Sequence, residues 1–135
     1  MQKLIDLANI RSTTRKIRGI VKKTRLQDSL NYSQKYNSKI FFKREDLQDV
    51  KSFKIRGAYT KILSVEKTIA QNGLVCASAG NHAQGFAVSC SLLDYNGTVF
   101  MPHSTPSLKV GLVKKFGGKN IKIKLVGENF SKAYK

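Results

Sequence analysis

The feature that most constrains the fold is an alternation, from residue 52 to residue 127, of helix-length segments with short apolar runs. Two of the runs, LVCAS at 74–78 and GTVFM at 97–101, have the length of strands and are nearly continuous in apolar residues, as is typical of strands buried on both faces. Strands that alternate with helices through short loops form parallel sheets. The sequence therefore predicts an α/β fold with an open, mostly parallel sheet and helices on both faces.

The element boundaries follow from periodicity and from capping residues. The pattern predicts helices over 4–21, 52–73, 81–93 and 106–118, and strands over 39–43, 74–78, 97–101 and 121–127. Ser52 is the predicted N-cap of the second helix, and Asn72–Gly73 its end. The last eight residues, ENFSKAYK, have the composition of the start of another helix. A finished domain of this class covers its sheet edge with further elements, so we expect a truncated chain.

The charge of the chain bears on its partners. The formal charge is +17, from 25 basic and 8 acidic residues, and such an excess can indicate nucleic-acid binding. The basic residues are scattered, however, and the aromatic residues do not alternate with them as base-stacking platforms would. We therefore interpret the charge as solvated surface and expect no nucleic-acid partner. A non-catalytic remnant with a basic binding surface is the alternative from another class.

Hydropathy and cysteine spacing argue against a membrane protein, a secreted protein and a zinc-binding protein. No apolar run reaches the roughly 18 residues that span a bilayer, and the N-terminus lacks the apolar core of a secretory signal. We therefore expect a cytoplasmic protein without a membrane segment. Cys76 and Cys90 lie in apolar stretches, without the paired spacing of zinc ligands. We expect buried thiols and no metal site.

Two polar segments follow predicted strands directly, KREDLQDVKSFK at 43–54 and SAGNHAQG at 78–85. In open parallel sheets, ligands bind where the carboxyl ends of strands lead into helix N-termini. In the second segment, Gly80 allows a positive φ or a close ligand approach, and Asn81 and His82 begin the helix with free amides. Such amides suit a carboxylate or phosphate. A plain helix cap is the alternative.

Lys54 is the candidate nucleophile of the first segment. A lysine amine becomes nucleophilic when it is partly desolvated or crowded by other cations. Lys51 and Arg56 flank Lys54 in the sequence, and Phe53 is placed to shield it. An ordinary surface lysine at a helix start is the alternative, because the chain has 25 basic residues.

The carboxylates of the same segment have a simpler interpretation. Glu45 and Asp46 are adjacent, and Lys43 and Arg44 precede them. We expect ion pairs that orient the loop rather than the separated carboxylates of acid–base catalysis. No sequence feature brings His82 together with the second histidine of the chain, so a histidine acid–base pair has little support.

Three segments, KREDLQDVKSFKIRGAYTKI (43–62), CASAGNHAQGFA (76–87) and TVFMPHSTPSLKVGLVKKFGG (98–118), resemble the threonine dehydratases (threonine ammonia-lyases) of the fold-type II pyridoxal-phosphate enzymes. Serine racemase and the tryptophan synthase β chain belong to the same group. The resemblance implies a tryptophan synthase β-like fold, of which residues 1–135 are the N-terminal part of the catalytic domain. The C-terminal part and any regulatory domain are then absent from these residues.

The resemblance also implies a cofactor and a set of site residues. Lys54 would bond covalently to pyridoxal 5'-phosphate, and Phe53 and Asn81 would contact that cofactor. The substrate carboxylate would be bound by the loop residues Ser78, Ala79, Gly80, Asn81 and His82. The freed amine of Lys54 would remove the α-proton of L-threonine before the β-hydroxyl leaves, which yields 2-oxobutanoate and ammonia for isoleucine biosynthesis. Serine racemase or serine dehydratase activity is the alternative within the family.

Two departures from the family pattern modify these expectations. Arg25, in TRL at 24–26, stands where the family commonly has proline, which alters the loop near the substrate. The family's glycine-rich phosphate loop and the residue that meets the pyridine nitrogen do not occur in the 135 residues. We therefore expect weak cofactor retention and poor activity from this chain, and a homo-oligomer for a full-length form.

Overall fold

The computed structural model describes residues 6–134. Helices and strands are numbered here in chain order: α1 Leu7–Lys16, β1 Leu26–Asp28, α2 Leu30–Lys35, β2 Phe41–Lys43, α3 Lys54–Leu63, α4 Lys67–Gln71, β3 Leu74–Ala77, α5 Asn81–Leu93, β4 Gly97–Met101, α6 Ser107–Gly117, β5 Ile121–Leu125 and α7 Phe130–Tyr134. Short 3₁₀ turns lie at Glu45–Leu47 and Gly118–Asn120. Among these helices, none is both long enough and apolar enough to cross a bilayer.

The three strands β3, β4 and β5 form an open parallel sheet in that order. Val99 in the central strand lies opposite Cys76 on one side and Ile123 on the other. Parallel neighbours are usually linked by a crossover helix, and here α5 connects β3 to β4 and α6 connects β4 to β5. The predicted parallel sheet is therefore confirmed.

The core lies between this sheet and helices α5 and α6. Val99 and Met101 of β4 are fully buried, as are Ala87 of α5 and Val113 of α6. Side chains of a strand alternate between faces, so Val75 of β3 points away from this core, and it is 75% exposed. Helix α7 packs against β3 and β4, on the side of Val75. Helices thus lie on both faces, as predicted. The face that carries Val75 is the more exposed of the two.

Both cysteines are free and buried. Burial raises the pKa of Cys76 to about 11. Burial, and secondarily the charge of Cys76, raise the pKa of Cys90 to about 12. A thiol that stays protonated behaves as a small apolar side chain, so the sequence-based expectation of buried thiols is confirmed.

The predicted strand at 39–43 exists but lies outside the parallel sheet. Strand β2 pairs antiparallel with β1 in a separate two-stranded sheet, with Leu26 opposite Lys43 and Asp28 opposite Phe41. Strand β1 was not predicted, because LQD at 26–28 carries no apolar alternation. The segment 43–54 consequently does not follow a strand of the parallel sheet.

The predicted helix over 52–73 is two helices, α3 and α4. Helix α3 ends at Leu63, where the Ser64 hydroxyl donates to the Lys61 carbonyl at 2.7 Å and so competes with the helical hydrogen bonds. The predicted end is confirmed by Gly73, whose φ is +97°. The predicted N-cap is wrong: Phe53 occupies that position, and the Ser52 hydroxyl accepts from the Lys54 amide at 3.3 Å.

Helix α1 is shorter than the predicted helix over 4–21. Its N-cap is Asp6, whose carboxylate accepts from the Asn9 amide at 2.7 Å. It ends at Lys16, five residues before the predicted end, and the polar residues RSTTRK occupy its last turns. The first part of the predicted helix, residues 4 and 5, lies outside the described residues.

A polar cluster around Glu45 ties the start of α3 to the preceding chain. Arg56 donates to both carboxylate oxygens of Glu45 at 2.8 Å, and the Thr24 hydroxyl donates to the same carboxylate at 2.5 Å. Gln48 is 1% exposed. Its amide group holds the backbone of Lys22, accepting from the nitrogen at 3.0 Å and donating to the oxygen at 2.9 Å. We call these five residues the Glu45 cluster.

The ion pairs of this segment differ in part from the expectation. Arg44 pairs with Asp46 through two hydrogen bonds of 2.9 and 2.7 Å, as predicted for neighbouring charges. Glu45 pairs with Arg56 instead of with the preceding basic residues, and Lys43 donates to the backbone oxygen of Thr24. The hydrogen bonds from Arg56 lower the pKa of Glu45 from 4.5 to about 2 against the opposing effect of burial.

Glu45→Gln tests the cluster through pH. The folded-state pKa of Glu45 lies below its unfolded value, so its stabilisation is complete above about pH 4.5 and is lost as pH falls towards 2. The variant should be less stable than the original chain at pH 7, by up to about 3 kcal/mol. That difference in the free energy of unfolding, measured by urea denaturation, should shrink between pH 5 and pH 3.

The matched control is Asp46→Asn. Its ion pair with Arg44 is exposed, and exposed pairs contribute little, so this variant should show a smaller loss at pH 7. A Glu45→Gln difference that stays constant from pH 7 to pH 3 would contradict the assigned role.

Gly117→Ala tests the contact of α6 with β5. A Cβ at Gly117 would lie 2.2 Å from Cγ1 and 2.5 Å from Cβ of Ile121. Overpacking of this kind costs about 1–3 kcal/mol, and we expect that loss in urea denaturation. Gly111→Ala is the control in the same helix, because a Cβ there meets nothing within 4 Å. It should stabilise by up to about 1 kcal/mol, and equal stability of the two variants would refute the packing argument.

Candidate functional site

The segment SAGNHAQG connects the carboxyl end of β3 to α5. The Ser78 amide donates to the Phe100 carbonyl at 3.0 Å, which continues the pairing of β3 with β4. The Ser78 hydroxyl accepts from the Gly80 amide at 3.3 Å, and the Ala83 amide donates to the Gly80 carbonyl at 3.0 Å. These bonds fold the chain from the strand into the first turn of the helix.

The first turn of α5 leaves two backbone amides available. Asn81 and His82 are exposed, and within residues 6–134 neither backbone amide has a hydrogen-bond acceptor. The N-terminus of a helix carries a partial positive charge. Two free amides at this end suit a carboxylate.

The sequence allowed two roles for Gly80, a positive φ or the close approach of a ligand, and only the second agrees with its geometry. Its φ of −130° and ψ of −154° are extended, so a positive φ is not the reason for a glycine here. A Cβ at Gly80 would meet nothing within 4 Å, and the space beside its backbone is open. The geometry is compatible with close approach of a ligand to this turn.

Lys54 is the first residue of α3 and is exposed. Its Nζ lies 4.9 Å from the centroid of the Phe53 ring, and Phe53 itself is 58% exposed. The aromatic ring therefore borders the amine, as expected, without enclosing it. Arg56, expected to crowd Lys54 as a cation, is instead paired with Glu45.

Packing of α3 against α5 brings the two predicted segments together. A Cβ at Gly85 of α5 would lie 3.2 Å from the carbonyl carbon and oxygen of Lys54 and from the amide nitrogen of Ile55. Gly85 follows Asn81 by four residues, so both lie on the same face of α5. The start of α3 therefore lies one helical turn from the free amides.

Gly85 was not among the predicted site residues, although it ends the segment SAGNHAQG. The available signal was its position inside a helical pattern. An isolated glycine there costs about 1 kcal/mol relative to alanine and indicates close packing when it is retained.

The remaining predicted residues lie at the edges of this arrangement. His82 lines a cavity of about 360 Å³ between α3 and the edge strand β3, which Ile62 and Cys76 also line. Ala79 is half-buried and packs against the core. In the described range, no group of three His, Cys, Asp or Glu side chains is placed to hold a metal ion.

Arg25, the departure from the family pattern, lies beside the Glu45 cluster. Its side chain is exposed, and its backbone oxygen accepts from the Arg44 amide at 3.1 Å. The preceding residue, Thr24, is 6% exposed and bonded to Glu45. The backbone on both sides of Arg25 is therefore held without the restriction that a proline ring would add.

Taken together, the site offers one accessible primary amine beside an aromatic ring and, on the neighbouring helix, two free amides. An amine of this kind condenses with an aldehyde, and the amides bind an anion. A ligand with both an aldehyde and a carboxylate matches both features. An aldehyde that is joined to a second molecule with a carboxylate also matches them.

Comparison with known proteins identifies a family to which residues of this chain match. Residues 17–135 match the family described as "Pyridoxal-phosphate dependent enzyme". The chain is 50% identical over 119 residues to the protein named L-threonine dehydratase biosynthetic IlvA of Staphylococcus saprophyticus, covering 88% of this chain and 28% of that protein. It is 46% identical over 132 residues to the Bacillus subtilis protein of the same name, covering 98% and 31%. The chain thus spans less than a third of these relatives.

Solved structures agree with the fold. Threonine deaminase isoform 2 from Solanum lycopersicum matches with a TM-score of 0.79 at 30% identity, over 96% of this chain and 36% of that one. Maize serine racemase matches with a TM-score of 0.88 at 29% identity, over 98% and 39%. The predicted fold-type II architecture is confirmed. Because the family match extends over residues 17–135, nearly all of the chain, this chain belongs to the pyridoxal-phosphate-dependent enzymes.

Proposed function

We propose that the chain is the N-terminal part of the catalytic domain of a biosynthetic threonine dehydratase, which converts L-threonine to 2-oxobutanoate and ammonia. The observation that carries the proposal is the contact of α3 with α5, because Gly85 adjoins the backbone of Lys54 one turn from Asn81. The names of relatives at 50% and 46% identity supply the substrate.

The residues present fit the cofactor of this family on the chemistry of their donor set. The amine of Lys54 would hold the aldehyde carbon of pyridoxal phosphate, and Phe53, 4.9 Å from that amine, would offer an apolar surface to its ring. Asn81, exposed at the start of α5, would donate or accept through its side-chain amide. When bound, pyridoxal phosphate withdraws electrons from the substrate Cα and makes its proton acidic.

The turn between β3 and α5 would bind the substrate carboxylate. The Gly80 amide already donates to the Ser78 hydroxyl, so the amides of Asn81 and His82 are the ones left for the carboxylate. The Ser78 hydroxyl proton remains available as a further donor, since that oxygen only accepts in this contact. Ala79 contributes its backbone to the same turn.

Lys54 would also serve as the general base. Its amine, once released from the cofactor, removes the α-proton of threonine. Loss of the β-hydroxyl as water and hydrolysis of the enamine give the two products. Because the amine belongs to α3 and the carboxylate is bound by α5, the contact between these helices sets the distance over which the proton moves.

Serine is the second candidate substrate. The observation that favours it is the match to maize serine racemase, at a TM-score of 0.88. The higher identities to threonine dehydratases make threonine the first choice. Comparison of 2-oxobutanoate formation from threonine with pyruvate formation and racemisation of serine, in a longer protein that contains this chain, separates the candidates.

The proposal also covers the cellular location and the oligomeric state of the enzyme. We infer a cytoplasmic location from the biosynthetic names of the relatives, and a homo-oligomeric longer form. A phosphate loop does not occur in these 135 residues, so the chain by itself should retain the cofactor weakly and form little 2-oxobutanoate. Rapid product formation by the 135-residue chain would contradict this expectation.

Covalent trapping tests the role of Lys54. Pyridoxal phosphate at low concentration, followed by borohydride reduction and peptide mass spectrometry, should label Lys54 about tenfold more than other lysines, because aldehyde capture is favoured where the ring is also bound. Dialysis before reduction should remove most of the label.

Lys61→Ala is the matched control, since Lys61 is an exposed lysine in the last turn of the same helix. This variant should keep the Lys54 label. In Lys54→Ala, no other lysine should become selectively labelled, and the total labelling of the protein should fall by the share that Lys54 carried. Unchanged total labelling of Lys54→Ala would refute the assignment.

A further inference from the structure

Gly85 is the point at which the backbones of α3 and α5 approach each other. The three atoms 3.2 Å from its ideal Cβ all belong to the peptide unit between Lys54 and Ile55. A side chain in such a contact could rotate away, but a peptide unit moves only together with its helix. The neighbours Ala83 and Ala87 on α5 are fully buried, so the helix surface around Gly85 is already tightly packed.

Two other helical glycines lack a contact of this kind. A Cβ at Gly57, in the same helix as Lys54, meets nothing within 4 Å, and the same holds for Gly111 in α6. Gly85 therefore has a constraint that these two lack: its missing methyl group allows the Lys54 peptide to lie against α5.

The Lys54 peptide is held from a second direction by the Glu45 cluster. Arg56, two residues after Lys54, donates both to the Glu45 carboxylate and, at 3.1 Å, to the backbone oxygen of Lys22. The first turn of α3 thus lies between a polar anchor and the surface of α5. Asn81 precedes Gly85 by one turn, about 6 Å along the same helix.

We propose that Gly85 is a positioning residue, which sets the distance between the Lys54 amine and the carboxylate-binding amides of Asn81 and His82. The inference rests on the proposed function of those groups. A methyl group at position 85 would displace the Lys54 peptide by a few tenths of an ångström. The amine would keep its reactivity towards a simple aldehyde, whereas a molecule that must reach both the amine and the amides would fit less well.

A pair of aldehydes of similar length tests this geometry in the 135-residue chain. Succinic semialdehyde carries a carboxylate, and butanal does not. After cyanoborohydride reduction, mass spectrometry gives the labelling of Lys54 relative to Lys61 for each probe. In the original chain the carboxylate should increase this selectivity about tenfold, as one charge-assisted hydrogen bond would. In Gly85→Ala the increase should fall to about threefold or less, with butanal labelling unchanged.

Gly57→Ala is the matched control and should retain the full carboxylate preference. A preference that is undiminished in Gly85→Ala would overturn the positioning role and leave the function of Lys54 intact. If the original chain shows no preference for the carboxylate probe, both the carboxylate role of the amides and the inference fail. Loss of selective labelling by pyridoxal phosphate in Lys54→Ala remains the separate test of the function.

A measurement on the original chain covers the case in which Gly85→Ala does not fold. An NMR nuclear Overhauser effect between the Gly85 α-protons and the Ile55 amide proton is expected, because a Cβ built at Gly85 would lie 3.2 Å from the Ile55 amide nitrogen. Its presence supports the close approach, and its absence in the folded chain would overturn the inference.

Discussion

The bidentate pair between Glu45 and Arg56 is the interaction on which the arrangement of the site depends. It joins the first turn of α3 to the turn at Glu45–Leu47, and through Thr24 and Gln48 it also joins the segment that leads into β1. A buried charge is costly unless its hydrogen bonds are satisfied. Here the carboxylate accepts from three side chains, and its partner also bonds to a backbone oxygen.

The groups of the proposed function lie on two different helices. The amine of Lys54, the proposed nucleophile, lies at the start of α3, and the free amides lie at the start of α5. Groups on rigid helices are held more closely than groups on loops. The relative position of amine and amides therefore depends on a few contacts between the two helices, which is why a glycine without any functional group matters to the site.

The β3–α5–β4–α6–β5 part of the fold was predictable because its signals are local. Nearly continuous apolar runs predicted β3 and β4, the run IKIKLVG predicted β5, and the ends of α5 and α6 lie within about two residues of the predicted ones. Strands β1 and β2 pair through residues such as Leu26 and Phe41, which are 64% and 50% exposed. Short exposed strands leave no burial pattern in the sequence, so their pairing was not predictable in this way.

The candidate site was likewise predictable only where its signals are local in the sequence. Lys54 and the segment 78–85 were identified from residue types and motif resemblance. The partner of Glu45 was predicted wrongly because Arg56, eleven residues away, reaches it only when the 3₁₀ turn and α3 are folded. The contact at Gly85 is a distance between two helices, and only the presence of a glycine in a helical pattern pointed towards it.

The two buried thiols have a consequence for the chemistry of the folded chain. Because burial raises the pKa values of Cys76 and Cys90 to about 11 and 12, both thiols stay protonated at pH 7, and alkylating reagents attack the thiolate. Modification of Cys90, which is fully buried on α5, therefore requires that α5 separate from the sheet. The rate at which Cys90 is modified in the folded chain is accordingly a measure of how often that interface opens.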